Sequence, residues 1–201
     1  MYKLVCTDLD DSLLRSDNTI SKETMEAVED LKKAGIRLIV NTGRTRFGSS
    51  EIVKKLGLEN EIRICINGAV MTYPDPDKDT LLGQFSSEDY LHLLNTARRD
   101  DRAFIVFTTE GVKYEKLTPL LDRHLKRFQL DRESEIADCD SISDSCRVNI
   151  IKYDNSESEY EYLREICPEN CSITISPFED MAHYLPGGIT KAVGLKMLLD
   201  K

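Results

Sequence analysis

Residues 2–12 of the chain read YKLVCTDLDDS, a short apolar segment that ends in three carboxylates within four positions, Asp8, Asp10 and Asp11. The apolar part predicts a buried strand, because it is bounded by the polar cluster that follows. Like charges this close repel unless a cation or a proton neutralises them, so the cluster indicates a divalent metal and a carboxylate able to attack phosphorus. A solvated turn is the alternative, since Asp and Ser are ordinary turn residues. These residues alone support the two interpretations equally.

The composition is that of an ordinary soluble globular protein, with 40% hydrophobic and 31% charged residues in a chain of 201. No apolar run approaches the length of a membrane-spanning helix, and the amino terminus lacks a signal-peptide pattern. We therefore expect a cytoplasmic protein with no membrane partner. The six cysteines are scattered without a Cys-x-x-Cys spacing, so neither a thiolate metal site nor a disulfide framework is expected.

The net charge of −9 argues against nucleic acid as a partner, because affinity for its backbone comes mainly from Lys and Arg on phosphates. No basic stripe offsets the excess of acids. A small phosphate ester is still a suitable ligand if a few cations converge locally, since net charge concerns bulk partners rather than one site.

The first third of the chain alternates strand and helix signals. After the acidic cluster, Ser21 is the predicted N-cap of a helix that stops at Gly35, and residues 36–40 form a β-branched strand. A second helix pattern closes at Gly57, and a third strand covers residues 62–66. This order predicts a parallel α/β sheet with right-handed crossovers.

Polar groups follow each of the three predicted strands. Ligands of such sheets sit beyond the carboxyl ends of the strands, so we expect these groups to meet in one site. They are Asp8 and Asp10 after the first strand, Thr42-Gly43-Arg44 after the second, and Asn67-Gly68 after the third.

A second type of pattern begins after residues 73–79, YPDPDKD, whose prolines and acids are typical of a linker. Short strands, several helices and a hairpin across Thr109-Glu110-Gly111 predict an α+β module. A Gly-containing turn then leads into a final helix at Lys191. The predicted organisation is a core α/β domain over residues 1–80, an α+β cap domain over residues 81–185, and a return helix of the core over residues 186–201.

Four motifs in the right order resemble those of the haloacid dehalogenase (HAD) superfamily. Asp8-Leu9-Asp10-Asp11-Ser12-Leu13-Leu14 looks like its Asp-x-Asp-x-Thr/Ser signature, and Gly188-Ile189-Thr190-Lys191 resembles its third motif. The runs that are similar to its Cof-type sugar-phosphatase subfamily are Asp17-Asn18-Thr19-Ile20-Ser21, Thr42-Gly43-Arg44 and Asn67-Gly68-Ala69. The resemblance covers essentially the whole chain. It implies a parallel-sheet, Rossmann-like HAD core with an inserted α+β cap domain.

The resemblance also implies an aspartyl-phosphate mechanism. Asp8 would be the nucleophile that attacks phosphorus, and Asp10 the general acid toward the leaving alkoxide and then the base for water. Mg²⁺ is the implied cofactor, held by the Asp8 carboxylate and the Asp10 backbone carbonyl together with phosphate and water. The implied phosphate- and substrate-binding residues are Thr42, Gly43, Arg44, Asn67 and Lys191.

Several of these residues have ordinary structural interpretations as well. Lys191 alone is typical of a solvated first-turn residue, Arg44 of a residue that pairs with a surface acid, and Asn67 of a turn residue beside Gly68. Their place in the ordered set favours function. Lys191 would balance the charge of the nucleophile and the phosphoryl group, while Arg44 and Asn67 would line the pocket.

The chain departs from the family pattern at three places. Asp11 and Ala192 stand where Gly is common, and neither displaces a required group. The family places a further acidic motif, Gly-Asp-x-x-Asn-Asp, after the helix that Lys191 begins, whereas this chain stops at Lys201. We therefore expect a core truncated at the C-terminus, weakened Mg²⁺ binding, and an unpaired sheet edge that favours a homodimer.

The leading functional hypothesis is a Mg²⁺-dependent phosphatase of small phosphorylated metabolites, in particular sugar phosphates. The alternative is a truncated, catalytically weak or inert phosphate-ester-binding protein that lacks the final metal-binding acid. A phosphoacceptor signalling domain ranks last, because its acceptor Asp lies on a later strand and such domains lack a large insertion. The cap follows no recognisable code for a particular substrate.

Overall fold

The computed structural model describes residues 2–127, 129–130 and 132–200. The chain divides into two compact units. The first unit is formed by Met1–Leu82 with Thr190–Lys201, and the second unit by Gly83–Ile189. None of the helices in the described ranges combines the length and the apolar character that crossing a bilayer requires.

The helices and strands are labelled in chain order. The helices are α1 Lys22–Lys33, α2 Arg46–Lys55, α3 Ser87–Arg99, α4 Pro119–Arg127, α5 Glu157–Glu165 and α6 Lys191–Leu199. The strands are β1 Leu4–Thr7, β2 Arg37–Asn41, β3 Arg63–Cys65, β4 Val70–Thr72, β5 Thr80–Leu81, β6 Phe104–Phe107, β7 Val112–Tyr114, β8 Ser134–Ile136, β9 Arg147–Ile151, β10 Ser172–Ile175 and β11 Met181–Leu185.

The first unit is built on one sheet with the strand order β1-β2-β3-β4-β5. β1, β2 and β3 run parallel, as the sequence predicts, whereas β4 and β5 add to the sheet in antiparallel fashion. The register places Thr7 opposite Val40 and Asn41 opposite Ile64. The carboxyl ends of the three parallel strands therefore lie together at one edge of the sheet.

Residues 73–79 form the connection between β4 and β5 and are not a linker. Asp79 accepts two hydrogen bonds from the Arg46 guanidinium, at 2.6 Å from Nε and 2.5 Å from Nη2, and a third from Tyr73 N at 2.8 Å. Asp75 accepts from Asp77 N at 3.2 Å within the same connection. The prolines and acids of this short turn have the composition of a linker, which is why the sequence pattern was misleading.

Side chains cap the N-termini of helices in the first unit. Ser21 accepts a hydrogen bond from Thr24 N at 3.0 Å ahead of α1, as predicted, and Thr190 accepts from Val193 N at 3.1 Å ahead of α6. The apolar faces of α1 and α2 pack with one face of the sheet. The buried residues of this core are Leu9, Leu14, Val28, Leu38, Val40, Ile52, Val53, Leu56 and Leu58.

The second unit contains a six-stranded sheet with the order β10-β11-β9-β6-β7-β8. Neighbouring strands are antiparallel except β7 and β8, which are parallel. The hairpin predicted across Thr109-Glu110-Gly111 is present, since Val106 pairs with Lys113 and Phe107 with Val112. Alternate residues of β6, β9 and β11 form a buried core with α3 and α5.

A group of titratable side chains, of which His124 is buried, lies elsewhere in the second unit. His183 of β11 contacts Glu179 through Nε2. This contact with His183 is the main reason that the pKa of Glu179 is lowered. Burial, and after it the neighbouring His183, lowers the pKa of His124 on α4 to about 4. Burial likewise lowers the pKa of His183, against the opposing effect of Glu179.

Gly68→Ala tests the close approach between the loop after β3 and the start of α6. Gly68 has a φ of +103°, and a Cβ atom there would lie 2.1 Å from the Thr190 carbonyl oxygen. We expect a loss of about 3 kcal/mol in the free energy of unfolding, because a backbone clash adds to an unfavourable φ. Urea unfolding of both forms measures the loss.

Gly35→Ala is the matched control for this substitution. Its φ is +68°, and a Cβ atom at that position would have nothing within 4 Å. The expected cost is about 1 kcal/mol, from the φ angle alone. Equal losses in the two variants would contradict the role of the Thr190 contact.

His124→Gln tests the effect of burying a neutral histidine. The unfolded histidine takes up a proton below its ordinary pKa of 6.5, while the folded one stays neutral down to about 4. The unfolded state therefore binds more protons in this interval, and stability falls as the pH falls. Between pH 7 and pH 5 we expect the wild type to lose about 2 kcal/mol more than the variant. Urea unfolding at both pH values checks this, and identical losses would contradict it.

Candidate active site

Asp8 is the first residue after β1, and its backbone is still extended, with φ −79° and ψ 168°, before the chain turns through Leu9–Leu13. Leu9 N donates a hydrogen bond to Asp8 Oδ1 at 2.7 Å, and Lys191 Nζ donates to Asp8 Oδ2. The Asp8 side chain is 32% exposed and that of Lys191 37%. The Asp8 carboxylate is therefore oriented by two donors while it stays accessible at the end of the strand.

Lys191 reaches Asp8 because α6 begins close to the ends of β2 and β3. Asn41, the last residue of β2, donates from Nδ2 to the backbone carbonyl of Lys191 at 2.8 Å. At Gly68 the absence of a Cβ atom leaves room for the Thr190 carbonyl. These two contacts set the position of the first turn of α6, and with it the position of the ammonium group.

Thr42 lies at the end of β2 and is fully buried. Its backbone N donates to Ile64 O at 2.9 Å, and its carbonyl accepts from Asn67 N at 3.0 Å. Its hydroxyl oxygen accepts from Arg44 N at 3.2 Å, a hydrogen bond that does not use the hydroxyl proton. Gly43 is the partly buried residue between Thr42 and Arg44. The loops after β2 and β3 are thus held against each other.

Arg44 forms a bidentate ion pair with Asp10. Its Nε donates to Asp10 Oδ2 at 3.0 Å and its Nη2 to Asp10 Oδ1 at 2.6 Å. Nη2 also donates to Asn18 Oδ1 at 2.8 Å, and Nη1 donates to the Gly48 carbonyl at 3.3 Å. The guanidinium is therefore held by three separate segments of the first unit.

The structure brings the predicted site residues to the carboxyl ends of β1, β2 and β3, as the topology requires. Asp8 pairs with Lys191 and Asp10 with Arg44. Asn67 joins this site through its backbone N, which donates to the Thr42 carbonyl, and it has a φ of +55° next to Gly68. Asp11 is exposed with a φ of +55°, in the turn that follows Asp8.

Two residues at the site were not predicted, Asn18 and Asn41. The signal for Asn41 was its place directly before Thr42 at the end of a strand. Asn18 stood inside the Asp17-Asn18-Thr19-Ile20-Ser21 run, where it indicated family resemblance and had no assigned role. Neither contact could be derived from spacing, because each joins segments far apart in the chain.

Cys6 is the nucleophilic side chain nearest to Asp8 in the sequence. Burial raises the pKa of its thiol, and the lowering effects of Asn41 and Lys191 do not cancel this. A thiol whose pKa is raised stays protonated at neutral pH and is a weak nucleophile. The carboxylate of Asp8 is therefore the stronger candidate for attack on an electrophile.

A family model described as haloacid dehalogenase-like hydrolase matches residues 5–201. The chain belongs to the haloacid dehalogenase-like hydrolase family. The match spans both units of this HAD-like chain and confirms the resemblance found in its motifs.

Curated relatives of this HAD-like chain include several phosphatases. Phosphatase YwpJ of Bacillus subtilis is 37% identical over 133 residues, which are 65% of this chain and 44% of that protein. The glucosyl-3-phosphoglycerate/mannosyl-3-phosphoglycerate phosphatase of Persephonella marina is 35% identical over 71 residues, 35% of this chain and 26% of that protein. The chain spans less than half the length of these curated relatives.

Solved structures agree in fold along the whole HAD-like chain. A haloacid dehalogenase-like hydrolase from Bacteroides thetaiotaomicron superposes with a TM-score of 0.82 at 19% identity, covering 100% of this chain and 77% of that one. A HAD subclass IIB sugar phosphatase superposes with a TM-score of 0.81 at 16% identity, covering 98% and 75%. The predicted fold class, an α/β HAD core with an α+β cap, is confirmed.

Lys191→Met tests whether the ammonium group serves an anionic ligand. A charge-assisted hydrogen bond contributes about 1.5–3 kcal/mol, so we expect inorganic phosphate to bind at least about ten-fold more weakly in the variant. The stability of the fold should change by less than about 1 kcal/mol, because the ion pair with Asp8 is partly exposed. Isothermal titration calorimetry in the presence of Mg²⁺ measures the affinity.

Lys196→Met is the matched control, because Lys196 is an exposed lysine on the same helix. It removes the same charge at a distance from Asp8. Equal affinities for phosphate in the two variants would contradict a local role of Lys191.

Proposed function

We propose that the chain is a Mg²⁺-dependent phosphatase that hydrolyses small phosphorylated metabolites, in particular sugar phosphates, through an aspartyl-phosphate. The observation that carries this proposal is the Asp8 carboxylate, oriented by Leu9 N and Lys191 Nζ beside the Arg44–Asp10 pair. The phosphatases among the curated relatives support the same reaction class.

In the first step, a carboxylate oxygen of Asp8 attacks phosphorus, and the bond between phosphorus and the alkoxide oxygen breaks. Asp10 in its protonated form gives its proton to the departing alkoxide. In the second step, water attacks the aspartyl-phosphate, Asp10 takes a proton from that water, and inorganic phosphate leaves with the Asp8 carboxylate restored. Asp10 stands two residues after Asp8 on a turning chain, which suits a group that serves both steps.

The phosphoryl oxygens need positive charge and donors as negative charge builds on them. We assign Lys191, the Thr42 hydroxyl and the Gly43 backbone to this role. Lys191 is already within hydrogen-bonding reach of the nucleophile, and the Thr42 hydroxyl has a proton to donate. Arg44 and Asn67 are assigned to the wall of the pocket.

The donor chemistry fits a magnesium ion with few protein ligands. The Asp8 carboxylate and the Asp10 backbone carbonyl are hard oxygen donors, and Mg²⁺ commonly keeps several waters. Within the described residues there is no group of three or more His, Cys, Asp or Glu side chains that could hold a metal by themselves. When bound, the ion would supply charge neutralisation at the phosphoryl oxygens.

The second unit is proposed as the cap domain that selects the leaving group. The solved structures that match both units support this assignment. The cytoplasm is proposed as the location of the protein. A homodimer through the edge of the first sheet is proposed as well, because β1 is at the end of the strand order.

A catalytically weak or inert phosphate-ester-binding protein is the second candidate. The observation that favours it is the small number of carboxylates close enough to share a metal in the described part of the chain. Such a protein would bind sugar phosphates with little dependence on Mg²⁺ and would not turn them over.

Asp8→Asn separates the two candidates. With p-nitrophenyl phosphate as substrate, we expect turnover by the wild type only when Mg²⁺ is present. The variant should be at least about 1,000-fold slower, because an amide cannot form the covalent intermediate. Release of p-nitrophenolate, followed with and without Mg²⁺, is the measurement.

Equal turnover in wild type and variant would exclude Asp8 as the nucleophile. A folded wild type that binds a sugar phosphate in calorimetry and never hydrolyses it would establish the binding protein instead.

A further inference from the structure

We propose that Asn18 is a positioning residue that holds the Asp10 carboxylate in place through the Arg44 guanidinium. The inference rests on the proposed function, because it concerns the group that would serve as acid and base. The contact that carries it is the hydrogen bond from Arg44 Nη2 to Asn18 Oδ1 at 2.8 Å.

Asn18 lies at the tip of a small hairpin that follows the acidic turn. Leu14 and Ile20 form an antiparallel bridge, and Arg15 N donates to Thr19 O at 2.9 Å. Asn18 N donates to Arg15 O at 2.9 Å, which closes a tight turn. A three-residue hairpin loop of this kind ends in a residue with positive φ. Asn18 has a φ of +61°, a conformation that Asn adopts more readily than most residues.

The hairpin tip is ordered by its own side chains. Asp17 Oδ1 accepts from Thr19 N at 3.0 Å and from Thr19 Oγ1 at 2.6 Å. These hydrogen bonds lower the pKa of Asp17, so its carboxylate keeps them at neutral pH. The Asn18 amide is consequently presented toward Arg44 by a defined turn.

The hydrogen bonds of Arg44 explain why one further acceptor matters. Nη2 has two protons, of which one goes to Asp10 Oδ1 and the other to Asn18 Oδ1. Asn18 therefore fixes the same nitrogen that holds Asp10. The Asp10 side chain is 50% exposed, whereas that of Arg44 is 17% exposed. Water competes for the carboxylate, and the less exposed guanidinium is the group that keeps it oriented.

Orientation of Asp10 decides how well it can deliver a proton to a leaving alkoxide. A small misplacement of an acid or base reduces the rate of the chemical step without removing the group. Loss of the Asn18 amide lets the guanidinium turn away from its present position. Substrate binding through Lys191 and Thr42 would be unaffected.

Three single substitutions in the hairpin isolate this role. Asn18→Gly keeps the positive φ at little cost and removes the amide acceptor. Asn18→Asp keeps an oxygen at the same place and is the conservative rescue. Ser16→Gly is the matched control, because it adds flexibility at an exposed residue of the same turn without touching Arg44.

The expected readout is a loss of the first-turnover rate that is selective for substrates that need a proton on the leaving group. For an alkyl phosphate such as a hexose phosphate, Asn18→Gly should lower kcat about ten-fold, part of the 10²–10⁴ that acid–base catalysis contributes. KM should stay within about two-fold, because ground-state binding is unchanged. With p-nitrophenyl phosphate the first turnover, followed by stopped flow, should lose much less, since p-nitrophenolate leaves without protonation. The later hydrolysis of the aspartyl-phosphate, in which Asp10 acts as the base, is common to both substrates. Asn18→Asp and Ser16→Gly should behave as the wild type with both substrates.

A second measurement reports on the contact without turnover. In ¹H–¹⁵N NMR spectra, the side-chain resonances of Arg44, assigned with Arg44→Lys, should be protected from exchange in the wild type. They should also be protected in Asn18→Asp and Ser16→Gly. Asn18→Gly should shift them and speed their exchange.

The outcomes separate the inference from the proposed function. If Asp8→Asn abolishes hydrolysis while Asn18→Gly matches the wild type on both substrates, the inference is wrong and the function stands. Equal loss on both substrates in the first turnover would reduce Asn18 to a structural role, and unchanged Arg44 resonances in Asn18→Gly would refute the contact itself. A wild type without hydrolysis overturns the proposed function, and the catalytic part of this inference with it.

Discussion

The ion pair between Lys191 and Asp8 joins residues 183 positions apart, and the balance of charge at the candidate site depends on it. Three carboxylates within four positions repel one another unless positive charge is brought to them. The chain supplies two cations from different segments. Lys191 meets Asp8 and Arg44 meets Asp10, so each of the two signature carboxylates has its own partner. The two cations thereby offset part of the local negative charge.

Contacts with the backbone at the start of α6 hold Lys191 in this place. Gly68 leaves room for the Thr190 carbonyl, and Asn41 holds the carbonyl of Lys191. A second glycine, Gly194, also leaves room for close packing one turn later, because a Cβ atom there would lie 2.8 Å from Ile64 Cγ2. α6 can therefore lie directly on the end of β3. The position of one ammonium group follows from the packing of a whole helix.

The parts of this arrangement that the sequence could predict are those with a local cause. A strand followed by carboxylates, a Ser N-cap and a Gly stop each depend on neighbouring residues, and the order of strands and helices then implies that the strand ends converge. The antiparallel strands β4 and β5 were missed, because Val70–Thr72 is too short for a period and the turn at 73–79 resembles a linker. The partners of Asn18 and Asn41 depend on contacts across the fold. The pairing of His183 with Glu179 was missed for a different reason, since their spacing of four crosses a turn and not a helix.

The choice of cation at each carboxylate has a chemical consequence. The lysine ammonium is a compact charge on a flexible stem, with three protons that can point at different acceptors. In the proposed mechanism it could therefore hold Asp8 and turn part of its charge to a phosphoryl oxygen as the nucleophile is consumed. The arginine fork is planar and binds both oxygens of Asp10 at once. This geometry holds the carboxylate in one position and disfavours a change of hydrogen-bond partner. In the proposed mechanism the nucleophile Asp8, whose charge changes during the reaction, thus has the adaptable partner. Asp10, which would have to be in the same place for two successive proton transfers, has the rigid one.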